Sequence, residues 1–235
     1  MDHIVINPTW RCQLRCGYCW LESVHLNRKV EHSWLDWAEA LVFYVPEQSV
    51  VDVAGGEPLL FRGLVPMLQA IAARNLRWAI TTNAVSTPAV EELVKARPAN
   101  NVVINVSDHQ GNAEADANIE RLQSAFSVVV NRVDHPDAGR RDIEIASVLP
   151  YQAWKEGCAT DGVPRTCTAG TSHWVADPAG DVWRCSVDMQ VNNRPIGNLF
   201  DRTFTAGGRC IRCDFGCSSC YTTDPGAWLL DMHAI

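Results

Sequence analysis

HIVINPTWRCQLRCGYCW, residues 3–20, decides how the rest of the chain is read. HIVIN (3–7) is short, β-branched and apolar, so it reads as a strand. Cys12, Cys16 and Cys19 follow at once with the spacing C-x3-C-x2-C. A loop leaving the carboxyl end of a first strand is where α/β folds build their sites. Three thiols also leave a metal one ligand short of the four that close a structural zinc site.

Downstream of that loop, runs rich in Val and Ile alternate with helix-like segments. SWLDWAEALVFYV (33–45) has a Ser cap and helical spacing. SVVDVAG (49–55) reads as a strand, LVPMLQAIAARN (64–75) as a helix and RWAITTN (77–83) as a strand. TPAVEELVKA (87–96) opens on Thr-Pro, a good helix start, and NVVINVS (101–107) is a strand. A helix over 112–125 and a strand over 126–133 complete the series. Strand and helix in alternation imply a parallel sheet with helices outside.

DHPDAGRR (134–141) then leaves only a short link before the next strand pattern, DIEIASVLP (142–150). A helical crossover needs a dozen residues or more, so that last strand is expected either antiparallel or reached without a helix. The expected fold is α/β, a shortened, open βα barrel of about six strands spanning 1–154. An open doubly wound sheet is the alternative. From 155 to 235 Gly, Cys, Asp and Trp dominate and helical periodicity stops, which marks a second, small Cys-rich domain. WVADPAGDVWRCSVDM (174–189) reads as a hairpin turning on Pro-Ala-Gly-Asp.

The 235 residues carry a formal charge of -7 and no dense cluster of Lys and Arg, which argues against nucleic acid as a partner. MDHIVIN lacks the basic start and long apolar run of a signal peptide, and no stretch has the length of a membrane span. A cytoplasmic protein without a membrane partner is expected. In that compartment ten cysteines point away from disulfides and towards metal. Seven of them, Cys158, Cys167, Cys185, Cys210, Cys213, Cys217 and Cys220, fall in the last third, so two separate metal regions are expected. Trp34 and Trp37 have helix-face spacing and read as core.

An iron–sulfur cluster with an open iron suits three thiolates at a sheet edge. The motif C-x3-C-x2-C, with Tyr18 before its last Cys, resembles the radical S-adenosylmethionine (SAM) signature. The resemblance implies that Cys12, Cys16 and Cys19 hold a 4Fe–4S cluster whose unique iron is chelated by the amino and carboxylate groups of SAM. AGGEP (54–58), ending the second strand, resembles the family's Gly-Gly-Glu-Pro motif. Gly55 and Gly56 would let backbone approach the ligand, and with Glu57 nearby would receive the SAM amino group. Thr82 and Asn83 in TTNA (81–84), Ser107 in NVSDH (105–109) and Asn131 are the further SAM contacts implied, with Tyr18 at the adenine. Trp10, Trp20 and Trp183 adjoin cluster ligands and could shield them.

The later cysteines resemble the auxiliary-cluster domains called SPASM and Twitch, in which a hairpin and a Cys-rich segment bind one or two further 4Fe–4S clusters. Cys167 and Cys185 are the first ligands implied; the others come from Cys210, Cys213, Cys217 and Cys220, with Cys158. The last motif is compressed relative to a full SPASM pattern, and a zinc ribbon is the competing reading. The short barrel with a small auxiliary module is most similar to 2-deoxy-scyllo-inosamine dehydrogenase-type Twitch enzymes, with short peptide maturases as the other resemblance.

The family implies reductive cleavage of SAM to a 5′-deoxyadenosyl radical, abstraction of a substrate hydrogen, and oxidation of the substrate radical with help from an auxiliary 4Fe–4S cluster. The electron donor would be a flavodoxin or ferredoxin. Glu22, His25, His109, Arg132 and His135 lie near strand ends as substrate candidates, His109 and Arg132 foremost as catalytic residues. The substrate is either a small biosynthetic metabolite or a short ribosomal peptide to be crosslinked. With the first strand at residue 3, a leader-peptide-binding domain ahead of the barrel would be a separate protein. A zinc-stabilised, non-enzymatic binding module is the third reading.

Overall fold

The computed structural model describes residues 2–16, 19, 30–108, 113–134, 147–150, 165–167, 169–191, 194–206 and 211–213. Six parallel strands follow one another in order across one sheet: β1 (His3–Ile6), β2 (Val50–Val53), β3 (Arg77–Thr82), β4 (Asn101–Asp108), β5 (Val128–Asp134) and β6 (Ser147–Pro150). Helices α1 (Trp34–Tyr44), α2 (Leu64–Ala72), α3 (Thr87–Ala96) and α4 (Ala113–Gln123) lie between them in sequence. The sheet does not close: β6 ends it on one side, as expected for a partial barrel.

Local chemistry sets the helix starts. Ser33 and Asp36 form a reciprocal capping box at α1. Pro88 stands in the first turn of α3, where its missing N–H costs no hydrogen bond. Gly63 precedes α2 at φ +93, and a Cβ there would sit 2.6 Å from the Trp34 ring, so this corner requires glycine.

Alternation along the strands separates two faces. Ile4, Ile6, Val51, Val53, Trp78, Ile80, Ile104, Val106 and Val130 join Trp37, Leu41, Met67, Leu68 and Ile71 of the helices in the main core. Val50, Ala79 and Val103 pack on the opposite, inward face, as do Val5, Val175 and Trp183. Each fully buried large apolar side chain contributes roughly 1.5–3 kcal/mol, so this two-sided burial is the main term holding the strands.

The last barrel strand decides between the two directions left open for it. β6 is parallel to β5, so the antiparallel alternative is excluded. Its described residues run from Ser147 to Pro150, and the expected start at residue 142 lies outside the described residues.

The expected hairpin exists as β8 (His173–Ala176) and β9 (Asp181–Trp183), paired antiparallel. Asp177 builds the turn: its Oδ1 accepts from Ala179 and Asp181 N–H groups, and Gly180 adopts φ +82. The hairpin stops at Trp183; residues expected to continue it form a short helix, α5 (Ser186–Val191). There Asp188 accepts from the Arg184 backbone and side chain, which ends the strand and turns the chain.

β8 does not start a separate sheet. It pairs parallel with β1, His3 to His173 through Ile6 to Ala176, and β10 (Gly197–Asn198) follows β9, giving nine strands in the order β10-β9-β8-β1-β2-β3-β4-β5-β6. A separate antiparallel pair joins β7 (Arg165–Cys167) to β11 (Ile211–Cys213). Among the described residues, no helix is long and apolar enough to cross a membrane.

Candidate SAM and iron–sulfur site

The cysteine loop is held against the end of β2 by backbone. Gly56 N–H donates to Thr9 O at 3.0 Å and Glu57 N–H to Arg11 O at 2.7 Å. The two glycines make this possible: a Cβ on Gly55 would lie 2.6 Å from Thr9 O, and one on Gly56 2.4 Å from Arg11 O. Their observed role is therefore close approach to the cysteine loop itself.

Glu57 is buried and its carboxylate is engaged on both oxygens. Oε1 accepts from Leu59 N–H and the Thr82 hydroxyl, and Oε2 from Asn83 N–H at 2.8 Å. Burial pushes its pKa up to about 7 against these donors. Thr82 in turn accepts from Ala84 N–H, which holds the strand-end turn with Ala84 at φ +56. Glu57 thus ties the ends of β2 and β3 together.

Asn83 connects that brace to the thiols. Its Nδ2 lies 3.7 Å from Cys12 Sγ, and its Oδ1 accepts from Gln13 Nε2 and Val85 N–H. Cys16 is buried, Cys12 and Cys19 are half-buried, and none is in a disulfide. Cys19 N–H donates to Cys16 O at 2.9 Å. Burial raises the Cys12 thiol to about 11, helped by Glu57 and by Cys16 and Cys19. Free of a cation, this thiol stays protonated at neutral pH, as expected of a ligand that loses its proton only to a metal.

Among the described residues no three His, Cys, Asp or Glu side chains converge on a point that would hold one ion. The donor set, three cysteines of one loop beside a braced backbone corner, fits a cysteine-ligated cluster.

Ser107, near the end of β4, pairs in register with Asn131 in the middle of β5, and Asn131 is buried. Arg132 pairs with Asp108, one position beyond. Tyr18, Trp20, Glu22, His25, His109, His135, Cys158, Cys210, Cys217 and Cys220 lie outside the described residues. Cys167 pairs with Ile211 and Arg165 with Cys213, so backbone pairing brings the two late cysteine segments side by side. Cys185 is half-buried and its Sγ accepts from Asp188 N–H. Trp10, Val175, Trp183 and Met189 form one buried cluster with Cys19 packed against it, so two of the expected tryptophan shields do lie beside the loop.

Sequence reading missed the clamp outside the loop. Arg11 donates to both carboxylate oxygens of Glu31, from Nε at 2.6 Å and Nη2 at 3.0 Å, and also to Leu60 O. The Thr9 hydroxyl donates to the same Glu31. The only signal was an Arg beside the first cysteine.

Parallel strands thus carry at their carboxyl ends a three-cysteine loop, a Gly-Gly-Glu corner and a Thr-Asn turn. The family model described as the Radical SAM superfamily matches residues 6–135, more than half of the chain, and the chain belongs to that superfamily. It is 27% identical over 153 residues to a GTP 3′,8-cyclase of Marinobacter nauticus, covering 63% of this chain and 46% of that protein. The chain thus spans about half the length of this curated relative.

In solved structures the fold is similar to Streptococcus suis SuiB bound to its precursor peptide SuiA, at TM-score 0.61 and 18% identity over 86% of this chain and 63% of that one. It is also similar to BtrN in complex with AdoMet and 2-DOIA, at TM-score 0.58 and 18% identity over 86% and 79%. These likenesses establish the fold.

Proposed function

We propose that this protein is a radical SAM oxidoreductase acting on a small biosynthetic metabolite. The observation that carries the reading is the junction of Cys12, Asn83 and Glu57, which fixes the cysteine loop to two strand ends at once. Cys12, Cys16 and Cys19 would hold a 4Fe–4S cluster, and Ser107 and Asn131, with Tyr18, are the SAM contacts proposed. The cluster and SAM together supply a hydrogen-abstracting radical when bound. The chain's own part is to hold the loop rigid through Gly55, Gly56 and Glu57, and to keep water from Cys19 with Trp10 and Trp183. Cys167, Cys185, Cys210, Cys213, Cys217 and Cys220, with Cys158, are the proposed ligands of one or two auxiliary clusters that take up the substrate's electron. A flavodoxin or ferredoxin would deliver the first electron.

A second reading, a ribosomal-peptide maturase, draws on the likeness to SuiB, whose structure holds a precursor peptide. Anaerobic reconstitution tests both. Brown protein with about eight to twelve irons that forms 5′-deoxyadenosine under reduction is expected, since each cluster contributes four. Colourless, zinc-loaded protein that leaves SAM intact overturns the enzyme reading. Stimulation of SAM cleavage by cyclitols or by short peptides separates the two substrate classes.

A further inference from the structure

The inward face of β2 to β4 carries polar residues where a buried parallel sheet ordinarily carries Val, Ile and Leu. Asp52 interrupts VVDV on β2, Thr81 stands on β3 and Asn105 on β4. Asp52 pairs in register with Ala79, and Thr81, two residues further along the same strand, pairs with Asn105. The three therefore share one face, with Val50, Ala79 and Val103 below them. The Thr81 side chain hydrogen-bonds to Asp52.

Asp52 is 8% exposed and Asn105 7% exposed, yet Asp52 Oδ1 and Asn105 Oδ1 accept no hydrogen bond. Buried polar atoms are almost always partnered, because leaving one unpaired forfeits its hydration. Both orphans are acceptors on one face, two strands apart and offset by two residues along them, about 12 Å between backbones. They also lie just beneath the site: Asp52 is three residues before Gly55, and Asn105 is two before Ser107 and opposite Thr81, which adjoins Thr82.

We propose that Asp52 and Asn105 are specificity-determining residues that accept hydrogen bonds from the hydroxyl or ammonium groups of a small polar substrate inside the partial barrel. The proposal rests on the radical SAM reading above and names the substrate class of that same site. A carboxylate acceptor paired with an open carboxamide oxygen favours hydroxyl and ammonium donors, that is, polyols and amino-polyols. It disfavours phosphorylated substrates such as nucleoside triphosphates, whose oxygens would face it with like charge. A backbone span of about 12 Å, with a side chain reaching in from each end, accommodates a single substituted six-membered ring.

The test uses the full chain, reconstituted anaerobically with SAM, and reads binding by calorimetry without turnover. The probes are 2-deoxystreptamine, myo-inositol and GTP. The expected result is binding of the first two and not of GTP. Asp52→Asn should weaken 2-deoxystreptamine at least tenfold and myo-inositol less. Asn105→Leu should weaken both at least tenfold, and Glu91→Gln, exposed on α3, neither. Asn105→Leu should also raise the thermal midpoint, because an acceptor kept for a ligand costs stability in the free protein.

If neither polyol probe binds, if GTP alone binds, or if both variants bind as wild type does, the pair is overturned. A fall in midpoint with unchanged binding gives the residues a purely structural role and overturns it too. Should Asp52→Asn fail to fold, Thr81→Val, which removes the hydroxyl that orients Asp52, must show the same selective loss of the amine. Wild type that binds the probes but forms no 5′-deoxyadenosine upholds the pair and overturns the parent reading.

Discussion

Asn83 Nδ2 approaches Cys12 Sγ to 3.7 Å while the Asn83 backbone N–H is fixed by Glu57 at 2.8 Å. A ligand-bearing loop is thereby oriented by a residue on a different strand. Groups that orient metal ligands typically carry 10–100-fold of affinity or activity. Asn83→Ala should therefore release iron to a chelator roughly 10–100-fold faster than wild type, with the fold intact by circular dichroism. Unchanged release kinetics would show that Asn83 only braces the turn.

Gly56 gives a sharper steric prediction. A methyl group there would stand 2.4 Å from Arg11 O and 2.6 Å from Trp10 O, and both atoms belong to backbone that has no rotamer to escape into. Gly56→Ala should lower stability by roughly 1–3 kcal/mol, as overpacking does, and should reduce the iron incorporated on reconstitution. Gly170→Ala is the control. Its Cβ would meet only the flexible Arg184 side chain, at 3.0 Å, although its φ of +87 adds some strain. It should leave the iron content of the cysteine loop unchanged.

The His3–His173 contact predicts a pH effect. The two rings stack at 5.5 Å between β1 and β8, and burial lowers the His173 pKa to about 4. Between the unfolded value near 6.5 and about 4, the unfolded chain binds more protons, so this group's contribution to stability is lost as pH falls through that window. Asp52 and Glu57, raised by burial to about 6 and about 7, act with the opposite sign: their ionisation costs stability as pH rises. The whole-protein curve mixes these terms, so the informative quantity is the difference between wild type and His173→Asn. Going from about pH 7.5 to 5.5, wild type should lose on the order of 1 kcal/mol relative to the variant in urea unfolding.

The six barrel strands were legible because each is a local run of Val and Ile bounded by turn residues, and Cys12, Cys16, Cys19 and AGGEP were legible because their spacing is itself the signal. What depended on distant pairing was not. The direction of the last strand was not fixed by its sequence, and only its pairing of Asn131–Asp134 with Ser147–Pro150 makes it parallel. The union of β8 with β1 joins residues 170 positions apart, beyond the reach of any periodicity. Glu57 was read towards a ligand, and only the folded chain shows its carboxylate already holding Leu59, Thr82 and Asn83. That one oxygen of Asp52 accepts no hydrogen bond is visible only in the packing.

The joining of β8 to β1 makes a prediction about the boundary expected near residue 154. Ile4 packs in the main core with Trp174, and Val5 packs with Val175 and Trp183 on the inward face. A chain cut after residue 154 would expose β1 as an edge strand and uncover Trp10 and Cys19. Such a fragment should aggregate or fail to retain iron on reconstitution, where an independent barrel domain would do neither. The point variant Trp183→Ala separates burial from pairing, because it leaves the β8–β1 hydrogen bonds in place. It should destabilise by about 3–5 kcal/mol, as large-to-small changes of a buried Trp do, and should speed loss of the cluster in air. A truncated chain that stays monomeric and cleaves SAM would place the boundary between independent folding units back at 154, with the hairpin as an accessory.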